Sequence, residues 1–288
     1  MSRELEGNTF RKAEDEAALQ LPGSMLLWDR TAHLEEPDVL YPFALEELLC
    51  RHVGEGGVPL VHLWRHPKAF VVGLRDSRLP YAAEAIRWLE SEGYSATVRN
   101  SGGAAVPLDS GVVNVSLVLP KRQGELDFHD DFERMYRLIA RALSESDVAK
   151  GEIVGAYCPG DYDLSIGGRK FCGIAQRRQA KAYVIQAFVV VEGKGQEMAA
   201  RVREFYRRAS GGSEALDYPR VTENSMASLA ELTEPSGTMT AERFIEGVKR
   251  VVRERQKQEP LDEKTVLLPT REQVLEMADM LRARYGVT

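Results

Sequence analysis

Two rhythms of apolar residues alternate along the chain. MLLWD, PLVHLW, AFVVG, YSATV, VVNVSLVL and the segment from Tyr183 to Val191 are short runs rich in β-branched and aromatic residues, punctuated by Gly and Pro, which is the mark of strands. Between them, apolar residues recur every three to four positions in PFALEELLCRHV, in Tyr81 to Glu92, in FERMYRLIARAL, from Gln196 to Arg208, from Ala241 to Lys257 and from Arg271 to Tyr285. These read as helices. A charged, weakly amphipathic helix is also expected from Phe10 to Leu21, ended by Pro22-Gly23. The interleaving predicts an α/β (α+β) protein with mixed, largely antiparallel sheets and surrounding helices.

Local signals refine these elements. Pro42 is acceptable in a first helical turn, and Ala44, Leu45, Leu48 and Leu49 give that helix a buried face on which Cys50 is a packing residue. PLVHLW and AFVVG, joined by RHPK, are expected to form a hairpin. VVNVSLVL reads as a strand with one apolar face. Asp130 or Asp131 is expected to cap the helix whose stripe is Phe132, Met135, Leu138, Ile139, Ala142 and Leu143. Thr270 and Gln273 have capping-box spacing, and Gly286 suits a helix stop.

Composition narrows the function. A chain of 288 residues is expected to form one large domain, residues 1–235, with a helical extension, 236–288, packed on it. No apolar run approaches the roughly 20 residues of a spanning helix, and the N-terminus lacks the apolar core of a signal peptide, so neither a membrane role nor export is expected and the cytoplasm is the expected compartment. Three cysteines at irregular spacing fit free thiols in a reducing compartment. His62 and His66 lie in a strand and turn with no ligand pattern around them, so neither metal nor cofactor is expected. The net charge of −6 argues against nucleic acid. Arg169, Lys170, Arg177, Arg178 and Lys181 nevertheless fall close together, either as solvated charges on a strand or as a basic docking patch.

Candidate chemistry centres on GAYCPGDYDLSIGGRKFCGIAQRRQ, from residue 155. Gly167-Gly168 supplies the positive dihedrals of a two-residue hairpin turn. Cys158 precedes Pro159, which biases its backbone to an extended conformation on an accessible loop. Lys170 opens the following strand, and an ammonium group near a thiol favours the nucleophilic thiolate. Cys172, alternating with Lys170, is a rival nucleophile but is more naturally a packed residue beside Gly173. Upstream, RNSGGAAVPLDSGVVNVS contains Gly102, Gly103, Ala104 and Ala105, small enough for another molecule to lie against the backbone. Arg99 and Asp109 bracket that stretch, which reads as a binding loop in preference to a bulge. Neither the dinucleotide fingerprint nor the phosphate-loop lysine pattern is present.

Together the two stretches resemble the lipoate-protein ligase A, or biotin/lipoate ligase-like, superfamily, from about Pro42 to Val191. The resemblance implies a lipoate/biotin ligase catalytic-domain fold, with Lys170 in GGRKFCGIAQRR at the shared lysine position and Arg99, Ser101, Gly102 and Gly103 in an acyl-binding loop. Ala104, Ala105, Asp161 and Gly173 complete the implied substrate-binding set. Ala104 stands where ligases usually have a third glycine, and Leu108 where many have histidine. Cys158 with Lys170 is closer to the cysteine-dependent acyltransferases, most of all the octanoyl-[GcvH]:protein N-octanoyltransferase branch. That branch implies a Cys158 thioester, with Lys170 lowering the thiol pKa or orienting the acyl carbonyl. It also implies the glycine cleavage H protein as octanoyl donor, E2 lipoyl domains as acceptors, no ATP, and Arg177 and Arg178 as docking residues. An octanoyl-acyl-carrier-protein-dependent transferase and an ATP-dependent lipoate ligase remain the alternatives.

Overall fold

The computed structural model describes residues 19–121, 129–233, 235–256, 261 and 263–287. In chain order the elements are β1 (Leu26–Asp29), α1 (Leu40–Gly54), β2 (Leu60–Trp64), β3 (Lys68–Val72), α2 (Ala82–Ser91), β4 (Ser95–Val98), β5 (Val106–Asp109), β6 (Val112–Pro120), α3 (His129–Ala142), β7 (Ala149–Lys150), β8 (Leu164–Ile166), β9 (Arg169–Arg178), β10 (Ala182–Val190), α4 (Gly195–Ala209), α5 (Leu229–Leu232), α6 (Ala241–Arg255) and α7 (Arg271–Tyr285). Most of the helix expected from Phe10 to Leu21 lies outside the described residues, and Leu19 to Leu21 are not helical.

A seven-stranded sheet runs β1-β2-β6-β10-β9-β8-β7, and a three-stranded sheet runs β4-β3-β5. Among the described strands, β1 with β2 and β3 with β4 pair in parallel and the other neighbours are antiparallel. The expected mixed, largely antiparallel architecture is therefore present. The expected hairpin of β2 and β3 is not: β2 joins the large sheet and β3 the small one. Every residue of β2 is buried, and β3 is buried after Lys68. Strands covered on both sides carry no alternation to mark a hairpin, and the turn at Pro67 hands the chain from one sheet to the other.

Strand β6 shows how the fold divides its two faces. Val113, Val115, Leu117 and Leu119 point to one side, into a core completed by Met135, Leu138 and Ile139 of α3 and by Phe244, Ile245 and Val248 of α6. Val112 and Val118 point to the other side, against α1, the small sheet, α4 and α7. The apolar face expected from the alternation is therefore present, and the second face, which carries Asn114 and Ser116, is buried as well.

Capping chemistry sets several boundaries. Thr270 and Gln273 form the expected capping box at α7, and Ser228 with Glu231 forms another at α5, a short helix its sequence does not announce. Gly286 closes α7 with φ −58°, outside the left-handed region. Asp131 does not act as a cap. Its carboxylate is buried and receives Arg134, Gln176 and Arg178, which ties α3 to β9.

Candidate active site

The segment between β7 and β8 carries the thiol. Its path is fixed from outside, because the carbonyl of Gly155 accepts the N–H of Thr222 at 2.8 Å and the Ser225 hydroxyl at 2.7 Å. At Cys158 φ is +50°, the only positive value among the described non-glycine residues. The extended conformation expected before proline is thus overridden, at a cost of about 1–2 kcal/mol for a left-handed L-residue. Such strain persists only where the surroundings impose it.

Lys170 is what imposes it. The side chain is completely buried, and Nζ donates to the carbonyls of Tyr157 at 2.9 Å and Cys158 at 2.6 Å while pairing with Asp163 Oδ1 at 2.8 Å. All three N–H bonds of the ammonium are engaged, and none is directed at the sulfur. Lys170 is thus brought near the thiol, as expected, with its contacts made to the backbone carbonyls that flank it. Burial pushes the Asp163 carboxyl up to about 6, against the opposing pull of Lys170.

Donors to the sulfur come instead from the small-residue loop. Arg99 Nη2 and the Ala104 N–H each lie 3.3 Å from Cys158 Sγ, and the same Arg99 nitrogen donates to the Ala104 carbonyl at 2.7 Å. Two such donors, one of them cationic, are placed to stabilise negative charge that develops on the sulfur. Gly103 makes the approach possible. Its φ is +90°, and a Cβ there would fall on Arg99 Nη2 and 2.9 Å from the sulfur. The Gly102 N–H reaches the Gln176 carbonyl at 3.4 Å, and the Ala105 N–H reaches Tyr206 Oη at 3.3 Å. Ser101 is buried with its hydroxyl unpaired.

A narrow slot lies beside the thiol, with about 20 Å³ of free volume as its walls stand. Val71, Val106, Leu108, Gly173 and Phe188 give it apolar walls, and Asn114 brings a polar atom into it. Gly173 is needed there because a Cβ would enter the Phe188 ring. On the other side of the loop, residues 101 to 104 border a wider groove with Pro159 and Tyr218. An apolar slot ending at a nucleophile that carries hydrogen-bond donors suits capture of an aliphatic acyl group.

Other expected residues lie elsewhere. Asp161 is exposed, and the carboxylate that enters the site is Asp163. Nothing local to GDYD marks this second acid, although a buried lysine calls for a carboxylate partner. Arg99 belongs to the expected loop, but its contact with the thiol has no local sequence signal. Asp109 accepts the Gly111 N–H at 2.8 Å and so shapes the turn between β5 and β6.

Cys172 is off the Lys170 face. The register with β8 shifts so that Lys170 opposes Ser165 while Cys172 opposes Leu164. The extra residue is a bulge that breaks the alternation, and Cys172 joins the apolar core of α3 and α6, where burial raises its thiol pKa well above the usual range. Cys50 is likewise buried, its pKa pushed up to about 12, in keeping with the packing role expected of it.

Arg177 and Arg178 are half-buried, and each is paired with a carboxylate. Arg177 makes a two-pronged pair with Glu47 at 3.0 Å for each contact, and Arg178 pairs with Asp131 at 2.5 Å. Both carboxylates are buried, so the arginines neutralise acids from α1 and α3. His62 Nδ1 is bonded to buried Glu46 at 2.9 Å. Among the described residues no group of His, Cys, Asp and Glu could hold a metal ion, and no helix is long and apolar enough to cross a membrane.

This arrangement has relatives. The family described as Lipoyl protein ligase A/B catalytic domain matches residues 38–253. The chain belongs to that family. Within it, the chain is 43% identical over 206 residues to the octanoyl-[GcvH]:protein N-octanoyltransferase of Anoxybacillus flavithermus, covering 71% of this chain and 75% of that protein. It is 45% identical over 199 residues to the enzyme of the same name from Geobacillus kaustophilus, covering 68% of this chain and 70% of the relative. In three dimensions it resembles lipoate-protein ligase A bound with ATP, with a TM-score of 0.63 and 17% identity over 93% of this chain and 100% of that one. A bipartite lipoate protein ligase from Thermoplasma acidophilum, studied with its E2 lipoyl domain, gives a TM-score of 0.62 at 17% identity, covering 93% of this chain and 98% of that one. At that identity the structural likenesses establish the family fold.

Proposed function

We propose that the protein is an octanoyltransferase that moves an octanoyl group from the lysine of the octanoylated glycine cleavage H protein to the lysine of E2 lipoyl domains, through a thioester on Cys158. The observation that carries the mechanism is the sulfur itself, buried and not on the accessible loop expected, held in a left-handed backbone beside an apolar slot with Arg99 and the Ala104 N–H directed at it. The identity of the donor rests on the relatives named for it, which match over more than two thirds of this chain. Residues 1–235 form the proposed catalytic domain, with the helices of 236–288 packed on it, and the cytoplasm is the proposed compartment.

In the first half-reaction the Cys158 thiolate attacks the carbonyl carbon of the octanoyl-lysine amide. The carbon–nitrogen bond breaks, the thiol's proton ends on the departing lysine amine, and an S-octanoyl enzyme remains. In the second half-reaction the amine of an acceptor lysine attacks the thioester, the carbon–sulfur bond breaks, and the amine's proton returns to the sulfur. Splitting an amide-to-amide exchange through a thioester replaces one hard step with two easier ones. One amide is exchanged for another, so ATP is not required. Arg99 and the Ala104 N–H stabilise the sulfur anion, Lys170 with Asp163 holds the loop that presents it, and the groove beside Pro159 and Tyr218 admits the lysine arm.

The test is transfer without ATP. Octanoylated H protein and an apo lipoyl domain should yield octanoylated lipoyl domain when the enzyme is added. Loading from octanoyl acyl carrier protein alone would reassign the donor, and product formed only with free octanoate and ATP would make the protein a ligase.

A further inference from the structure

A buried polar pair, Tyr206 and Asp76, backs the small-residue loop. Tyr206 of α4 donates its hydroxyl to Asp76 Oδ1 at 3.1 Å and accepts the Ala105 N–H at 3.3 Å. Asp76, in the turn after β3, accepts the Gly73 N–H on its other oxygen at 3.1 Å. Both side chains are buried, and burial raises the Asp76 carboxyl pKa above its ordinary range. Placing a carboxyl there is costly, and packing alone would be better served by an apolar side chain.

What the pair holds is one peptide plane. The Ala104–Ala105 peptide has its N–H fixed by Tyr206 and its carbonyl fixed by Arg99 Nη2 at 2.7 Å. That Arg99 nitrogen is one donor to Cys158 Sγ, and the Ala104 N–H, one peptide earlier, is the other. The backbone is also closed from below, since a Cβ on Gly73 would lie 2.9 Å from both the Ala104 Cα and Asp76 Oδ2. Rotation of this peptide would move both donors off the sulfur together.

We propose that Tyr206 and Asp76 are positioning residues that hold the two hydrogen-bond donors of the Cys158 sulfur and thereby set its nucleophilicity. The inference rests on Cys158 being the nucleophile of the proposed transfer. The titratable and charged groups around the sulfur, among the described residues, include Arg99, Tyr157, Tyr206, Asp76 and Cys172, with Lys170 and Asp163 bonded to the backbone or to each other. Because burial holds the Tyr157 and Tyr206 hydroxyls neutral, changes at Tyr206 act through geometry and not through a lost charge.

The experiment measures the rate of Cys158 alkylation by iodoacetamide against pH, with the modified peptide mapped by mass, in the full-length protein and in Tyr206→Phe, Asp76→Asn and Phe244→Leu. Phe244 of α6 is buried in the core on the other face of the large sheet and serves as the stability control. Tyr206→Phe and Asp76→Asn should move the alkylation midpoint up by about one pH unit, making the thiol about tenfold slower near neutral pH. In octanoyl transfer kcat should fall in parallel while KM changes little. Phe244→Leu should lower Tm and leave the midpoint in place. Unmoved midpoints in both positioning variants, or an equal shift in Phe244→Leu, would overturn the proposal. Since alkylation needs no acyl donor, failure of the transfer reaction would be recognised separately.

Discussion

The two faces of the large sheet are built from the same strands and do different work. On the face toward α3 and α6, β6 and β10 present Val113, Val115, Leu117, Ile185 and Val189 without a break, and Cys172 is one more apolar side chain among them. On the opposite face the apolar run is interrupted by Asn114, Ser116, Gly173 and Lys170, and the slot and the thiol occupy the interruption. One face holds the sheet together, and the other gives up continuous packing to hold a reactive centre. Alternation along a strand is what lets one segment serve both purposes.

The largest expected contrast lies between the two cysteines that fall on either side. Cys158→Ser should abolish octanoyl transfer, whereas Cys172→Ser should retain it and lower stability by about 1–3 kcal/mol, the cost of a hydroxyl in an apolar core. A transfer assay with a denaturant titration of each variant checks both halves. Loss of transfer in Cys172→Ser at full folding would break the division between faces.

Next in size is the buried ion pair. Lys170→Met leaves Asp163 without its partner and should cost about 3–5 kcal/mol of stability along with transfer. Adding Asp163→Leu should recover stability but not transfer, because nothing then holds the carbonyls of residues 157 and 158. Recovery of both would reduce the pair to a packing device. Gly103→Ala tests the opposite wall: the added methyl displaces Arg99 or the sulfur, and transfer should fall about 100-fold for a shift of roughly 1 Å.

A pH profile gives a smaller effect. As pH falls through about 6 Asp163 takes up a proton, its attraction for Lys170 weakens, and transfer should lose rate along an acid limb that Asp163→Asn does not show. For stability the sign is reversed. The folded carboxyl binds its proton more tightly than the unfolded one, so between about pH 4 and the folded value this group's contribution falls as pH rises.

Smallest is the effect of removing Arg177. Arg177→Met should cost about 1–3 kcal/mol by stranding Glu47 and leave the salt dependence of transfer unchanged. A reduced salt dependence would restore the docking role that its exposed-looking sequence context predicts.

Much of this was legible in the sequence because it is local. The Gly167-Gly168 hairpin, α7 with its capping box and the small-residue loop each follow from spacing and residue type, and Cys158 with Lys170 follows from their place around the hairpin. What escaped depends on distant partners. The β2 and β3 strands look alike until burial on both faces sends them to different sheets. Arg177 and Arg178 look solvated until Glu47 and Asp131 arrive from two separate helices. The bulge in β9 moves Cys172 off the face of Lys170, and no residue in RKFCG announces it. Likewise the acid of GDYD expected in the site is Asp161, whereas the turn at Gly160 exposes it and buries Asp163 instead.

The central claim is that Cys158 carries the acyl group. Intact-mass spectrometry of the protein mixed with octanoylated H protein and no ATP, followed by peptide mapping, tests it directly. The expected result is a single octanoyl adduct on Cys158 that disappears when an apo lipoyl domain is added and reappears as mass on that domain. An adduct mapped to Cys172 or to a lysine, or transfer that proceeds while Cys158 is never acylated, would contradict it.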